Sequence, residues 1–263
     1  MRLDHVVILV NELAAAVRDY AALGFTVTQG GEHKGLGTHN ALIPFADGAY
    51  LELIAFKQKS FPSGTVIGKE MRARQLMSAG RTPAERRMLA WETCGEGLAD
   101  FALLPHDIEE DLKTARSRGL PMEGPLPGSR LRPDGQRVAW QFGIPATWDL
   151  PFLCADVTPR SLRVPAGAAR EHANGATGVA RVVVAVQDLK TSASRYAALL
   201  GAAPKRGGGP GRVEFALGPT IIALTAAAAG EGPCALVLRT SNKAAPPLDP
   251  SRTHGARIEW GIE

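Results

Sequence analysis

The stretch LDHVVILVNELAAAVRDYAALGFTVT, residues 3–28, decides the fold. Leu3 to Val10 is a short run rich in β-branched residues, which predicts a strand. Asn11-Glu12 supplies a polar turn and a helix start, after which Leu13, Ala16, Val17 and Tyr20 recur at helical spacing. Gly24 ends that helix, and Phe25-Thr26-Val27-Thr28 reads as a second strand. Beyond a glycine-rich loop, Thr38 to Phe45 and Ala49 to Phe56 predict a hairpin about Asp47-Gly48. The order is β-α-β-β-β.

The same opening returns downstream. Shifted by 176 residues, Val6-Val7, Val10, Leu13 and Tyr20-Ala21-Ala22-Leu23 match Val182-Val183, Val186, Leu189 and Tyr196-Ala197-Ala198-Leu199. That is 8 identities in 18 positions, against roughly two expected by chance at this composition. A shift of 95 gives a fainter copy, with Leu98 to Leu104 as strand, His106-Asp107 as turn, Ile108, Leu112 and Ala115 on a helix face, and Gly119 matching Gly24. Arg137–Phe142 and Leu150–Cys154 are the strands that complete it. Between the first two copies, about residues 57–97 read as an insertion lying over or beside the first module, with a helix starting near Thr82-Pro83-Ala84-Glu85. Cys234–Leu238 and Gly255–Trp260 suggest strands of a fourth copy, but a Pro-rich stretch from Ala244 to Pro250 stands where its helix would be.

These repeats predict an α+β protein of repeated βαβββ modules pairing into curved mixed sheets. Residues 1–156 form the first domain, 157–172 a linker of Pro-, Gly- and Ala-rich composition, and 173–263 a second, degenerate domain. At 263 residues the chain is long enough for two domains with their own cores. A hydrophobic share of 45% and a charged share of 21% are those of a folded globular protein.

The formal charge of +4 comes from 30 basic and 26 acidic side chains, scattered as in Arg72-Ala73-Arg74, Arg86-Arg87 and Arg130-Leu131-Arg132. With 8 Phe, 4 Trp and 3 Tyr, and none interleaved with a basic stripe, no nucleic-acid surface is expected. Cys94, Cys154 and Cys234 are odd in number and far apart, which fits neither a disulfide framework nor a structural zinc site and suggests reduced thiols in a cytoplasmic protein. Asp4 and His5 interrupt any signal-peptide core, and no stretch has the length of a membrane span, so no membrane partner is expected.

Leu3-Asp4-His5-Val6-Val7-Ile8, Gly37-Thr38-His39-Asn40 and Tyr50-Leu51-Glu52-Leu53 together resemble the glyoxalase-like family of the vicinal oxygen chelate superfamily. The resemblance covers residues 3–156 well and 173–263 more loosely. It implies that two modules pair around a cup holding a divalent metal, ligated from the first and fourth strands of each module. His5 and Glu52 fall on those positions in module one. Strand alternation agrees, because it puts His5, Val7 and Leu9 on one face and sets Glu52 between outward-facing Leu51 and Leu53. In module two His5 corresponds to Asp100, while Pro151-Phe152-Leu153-Cys154 carries no carboxylate. A set of His5, Glu52 and Asp100 would favour Mg²⁺, Mn²⁺ or Fe²⁺. In module three Arg181 stands at the His5 position, so no metal is expected there, and that domain would support a homodimer or lid the cup.

Each residue also has a plainer role open to it. His5 can be a hydrogen-bonded core histidine, and Asp100 a turn former. His39 and Asn40 can touch substrate or only satisfy nearby backbone, and His33 and His254 read as solvated loop residues. His172 and Asn174 suit a cap or an interdomain hydrogen bond as well as catalysis. Gly207 to Gly211 lacks the lysine-serine pair of a phosphate loop and reads as a hairpin connection.

Two functions remain. One is a metal-dependent lyase, isomerase or dioxygenase acting on a small substrate with vicinal oxygens, in which Glu52 moves a proton and His39, Asn40, Trp140 and Phe152 bind substrate. The other is a metal-free small-molecule binding protein of the drug-sequestering type, whose cup uses Trp91, Trp140, Phe142 and Phe152.

Overall fold

The computed structural model describes residues 1–33, 35, 37–57, 80–207, 211–228 and 230–261. Most of the expected insertion, and Gly208 to Pro210 of the expected hairpin connection, lie outside these residues.

Module one comprises β1 (Arg2–Leu9), α1 (Leu13–Ala22), β2 (Thr28–His33), β3 (Thr38–Pro44) and β4 (Tyr50–Phe56). Glu12 caps α1 through the Ala14 amide. The second strand starts at Thr28 rather than Phe25. The Phe25 amide bonds the carbonyl of Tyr20 to close the helix, and its ring is buried beside Tyr20, so the chain turns extended only afterwards. The insertion contributes α2 (Pro83–Thr93), which begins where the sequence places it. Thr82 and Glu85 form a reciprocal capping box with Pro83 inside the first turn.

Module two comprises β5 (Gly97–Leu104), α3 (Ile108–Ser117), β6 (Met122–Leu131), β7 (Arg137–Pro145) and β8 (Phe152–Asp156). The two modules close into an eight-stranded barrel in the order β1-β4-β3-β2-β6-β7-β8-β5. Parallel β1–β4 and antiparallel β1–β5 pairing put β1 at the centre of one seam, and β2 meets β6 at the other. Closure leaves the barrel no open edges. The inward face collects Val7, Leu9, Ile54, Trp140, Ile144, Phe152 and Cys154 into one buried cluster.

Beyond the barrel, a helical turn α4 (Arg160–Arg163) precedes β9 (Ala176–Val186), α5 (Leu189–Leu200), β10 (Lys205–Arg206), β11 (Arg212–Leu217), β12 (Thr220–Ala226), β13 (Gly232–Thr240) and β14 (Ile258–Gly261). These strands form one sheet in the order β10-β11-β12-β9-β13-β14. β9 to β12 is the third βαβββ copy. β13 and β14 run parallel as the remnant of a fourth, without an α-helix between them. A second apolar cluster runs from Val6, Ile8, Phe101 and Leu103 on the outer face of the barrel to Val182, Val184 and Leu236 of this sheet. Among the described residues no helix is long and apolar enough to cross a membrane.

Candidate functional site in the barrel

The site starts at an irregularity in β1. Leu3 pairs with Leu103 and His5 with Ala102, so Asp4 is an extra residue, a β-bulge. Bulges re-aim side chains, and this one lets consecutive residues meet: Asp4 Oδ2 lies 2.7 Å from His5 Nδ1. Asp4 is wholly buried, and two arginines from α4 replace its water. Arg163 Nη1 donates to Oδ2 at 2.7 Å, and Arg160 Nη1 to Oδ1 at 2.6 Å. Burial alone would raise the Asp4 pKa, but Arg163 and His5 outweigh it and hold the carboxyl well below its usual range. Arg163 also donates to Tyr50 Oη at 2.8 Å and to Asp156.

Glu52 sits on the next strand, its position set by pairing of Val7 with Glu52 in β1–β4. His5 Nε2 faces Glu52 Oε2 at 3.4 Å. On the other oxygen, Asn40 Nδ2 donates to Oε1 at 2.5 Å, and His33 Nε2 stands 3.6 Å away. Burial would raise the Glu52 pKa, yet the fields of His5 and His33, the Asn40 amide and Arg130 lower it on balance. Glu52 is therefore a carboxylate at neutral pH. His33 contacts the Thr38 hydroxyl at 2.8 Å through Nδ1, and burial drops its pKa to about 4, so its ring is neutral.

Above Glu52 opens a cavity of about 780 Å³, counted with its mouth. Trp91, Trp140, Phe142 and Phe152 form much of its wall, and Glu52, His33, Arg87 and Arg130 bring polar groups to it. Phe142 meets Trp140 and Phe152 edge-on, with ring centroids 5.9 and 5.8 Å apart. Helix α2 closes one side through Ala84, Arg87, Met88 and Trp91, and no lining residue lies beyond Arg163 among the described residues. The C-terminal sheet packs on the outer face of the barrel instead of over the cup.

The predicted residues divide accordingly. Glu52, Trp140 and Phe152 line the cavity, with His5 and Asn40 directly behind Glu52. His39 alternates to the opposite face of β3 and is half-buried there. Asp100 is on the inner face, opposite Val7, but does not join His5 and Glu52. Arg87 Nε and Nη2 hold its two oxygens at 2.6 Å each, and Trp91 Nε1 adds a bond of 2.9 Å. Phe152 takes the place in module two that Glu52 holds in module one, because Ala102 pairs with Phe152 as Val7 pairs with Glu52. Among the described residues no group of three or more His, Cys, Asp or Glu side chains could hold a metal ion. A divalent cation bound by His5, Glu52 and Asp100 does not fit this donor arrangement, since Asp100 is already neutralised bidentately.

Two histidines read as solvated are not. His33 is buried in the site, because β2 continues to that residue and turns it inward. His254 bonds Glu96 and Asp19, each at 3.1 Å. His172 ties the segment before β9 to the barrel, accepting from the Thr26 amide at 2.9 Å and meeting the Pro44 carbonyl at 3.0 Å. Sequence reading took Arg130 only as one of the scattered basic residues and passed over Arg163. The first lies on a Pro- and Gly-containing strand without clear alternation, the second in a stretch of linker-like composition.

A family model described as a glyoxalase-like domain matches residues 3–200. No curated protein sequence matches the chain. Among solved structures, a hypothetical protein from Staphylococcus aureus is similar over 98% of this chain and 99% of its own, at 14% identity and a TM-score of 0.73. A xylose isomerase-like TIM barrel/4-hydroxyphenylpyruvate dioxygenase fusion protein is similar over 92% of this chain and 36% of its own, at 14% identity and a TM-score of 0.53. These two likenesses concern the fold.

Proposed function

The chain belongs to the glyoxalase-like domain family of the vicinal oxygen chelate superfamily, and from that premise we propose that it is an enzyme moving a proton on a small oxygenated substrate in the barrel, with Glu52 as the base. The observation carrying this reading is a buried carboxylate held ionised at the floor of an apolar cavity. Perturbed titratable groups in a cleft mark functional sites, and a core carboxylate with no task is costly.

Each neighbour has a part. Asn40 fixes the Glu52 rotamer through Oε1, and His5, anchored by Asp4, stands behind Oε2. A C–H beside a carbonyl gives its proton to Glu52, and the electron pair moves onto the carbonyl oxygen. Arg130 and neutral His33 are the groups able to stabilise that oxyanion. Return of the proton to the same or the other face gives exchange or isomerisation. The saturated Asp100 favours chemistry that does not use the His5, Glu52 and Asp100 ligand set.

The test follows carbon-bound protons in D₂O by NMR, with 2-oxobutyrate, mandelate and dihydroxyacetone as probes. The wild type is expected to exchange a proton of at least one probe, and Glu52→Gln to lose about 100-fold or more of that rate. The same rate is expected after dialysis against EDTA. A wild type that exchanges none, or a Glu52→Gln variant as fast as wild type, overturns the proposal. The aromatic wall favours a second reading, a sequestering protein, which would bind such compounds without exchange.

A further inference from the structure

Three guanidinium groups approach the cavity, and their partners differ. Arg163 is shared between Asp4 and Asp156, and Arg87 is matched bidentately by Asp100. Arg130 has no hydrogen-bonded carboxylate among the described residues, and the field of Glu52 reaches it only from farther off. It is 3% exposed, and its donors reach only the Arg163 carbonyl at 2.7 Å and the Asn40 amide oxygen at 3.5 Å. Its Nε has no partner.

An arginine keeps its charge at any ordinary pH, so burying it without a hydrogen-bonded anion is costly. Burial already pushes its pKa below the usual value. Two further buried donors, Arg87 Nη1 and Trp140 Nε1, belong to residues that line the same cavity and lack acceptors within the chain. Three orphaned N–H groups around one apolar cavity call for an acceptor-rich group from outside the chain.

Charge balance narrows that group. The Arg87–Asp100 pair is neutral, as is the cluster of Asp4, Asp156, Arg160 and Arg163. Arg130 and ionised Glu52 then balance in net charge but are not joined by a hydrogen bond, so one ligand carboxylate can supply the direct ion pair that Arg130 lacks, and a second negative charge would find no further cation. The remaining wall, Trp91, Trp140, Phe142 and Phe152, fits a flat apolar body. We propose that the cavity takes a small organic monocarboxylate with an apolar, preferably aromatic, body, and that Arg130 selects it by its charge. This rests on the reading of the barrel as a substrate site and names the substrate class.

The probes are phenylacetate, phenylacetamide and phenylphosphonate, with dissociation constants measured by calorimetry. Wild type is expected to bind phenylacetate about tenfold or more tighter than the amide. Arg130→Gln is expected to abolish that preference, and Arg130→Lys to keep part of it. Equal binding of acid and amide, no binding of either, or a preference that survives in Arg130→Gln overturns the proposal. Tighter binding of the phosphonate than of phenylacetate overturns the monocarboxylate assignment.

If Arg130→Gln does not fold by circular dichroism, Trp140→Phe serves instead, with phenylacetate expected to weaken about threefold or more and an unchanged affinity counting against the proposal. Glu52→Gln separates this inference from the proton-transfer reading. A charge preference dependent on Arg130, without proton exchange in wild type, removes that reading alone. Exchange dependent on Glu52, without a charge preference, removes this inference alone.

Discussion

A carboxylate denied all water survives only where donors replace it, and Asp4 gathers them from His5, Arg160 and Arg163. His33 meets the opposite demand, since its burial favours the neutral ring. Its pKa of about 4 lies below the 6.5 of an unfolded chain, so between those values the unfolded state binds a proton that the folded state refuses. Stability from this group is complete above about pH 6.5 and is lost as pH falls towards 4, on the order of 3 kcal/mol in all. Urea titrations at pH 7 and 4.5 are expected to show wild type losing about 2 kcal/mol more than His33→Gln. Equal losses would acquit His33. His5 and Glu52 were legible because they fall on positions that the family resemblance implies and strand alternation turns them to one face. His33 was not, because Gly30-Gly31 before it resembles a loop, although β2 keeps its ladder through a register shift between Gln29 and Gly31.

At the scale of elements, helix α2 and strand β5 are fastened by the Arg87–Asp100 fork, with the Trp91 indole as a third bond. Removing one partner strands the other in an apolar wall, so Arg87→Met is expected to cost about 3–5 kcal/mol in urea unfolding. The double variant with Asp100→Leu is expected to recover much of it, and simple additivity would contradict coupling of the pair. The start of α2 could be read from Thr82-Pro83-Ala84-Glu85 because a capping box is a local device. Strand β6 could not. Pro125, Pro127, Gly124 and Gly128 break its alternation, and its pairing with β7, including Gly128 opposite Trp140, is set by the partner strand. A Cβ at Gly128 would come within 2.3 Å of Trp140 Nε1, so the missing side chain there makes room for the indole.

The whole molecule is joined by contacts that repeat with the sequence. Tyr20 of α1 donates to the Thr253 carbonyl in the C-terminal part at 3.1 Å, and its counterpart Tyr196 of α5 donates to the Asp149 carbonyl in the barrel at 2.8 Å. Both rings are buried in the apolar cluster that spans the two parts. Asp47 and Arg239 add an ion pair across the same boundary. Urea unfolding is expected to show one transition, coincident by tryptophan fluorescence and circular dichroism. Tyr196→Phe is expected to lower its midpoint by the equivalent of about 1–2 kcal/mol. Two resolved transitions would mean that the parts fold separately.

The repeat itself was visible because its identities sit on helix and strand faces that pack, whereas this interlocking joins residues 233 and 47 positions apart, which no local pattern encodes. The paired tyrosines carry a consequence for ancestry and recombination. Copies of a duplicated segment begin as interchangeable units, but here each has its hydroxyl seated on the other part of the chain. Replacing either segment with one that lacks its tyrosine would break a hydrogen bond to the other part, so an exchange of one half has to respect the surface of its neighbour.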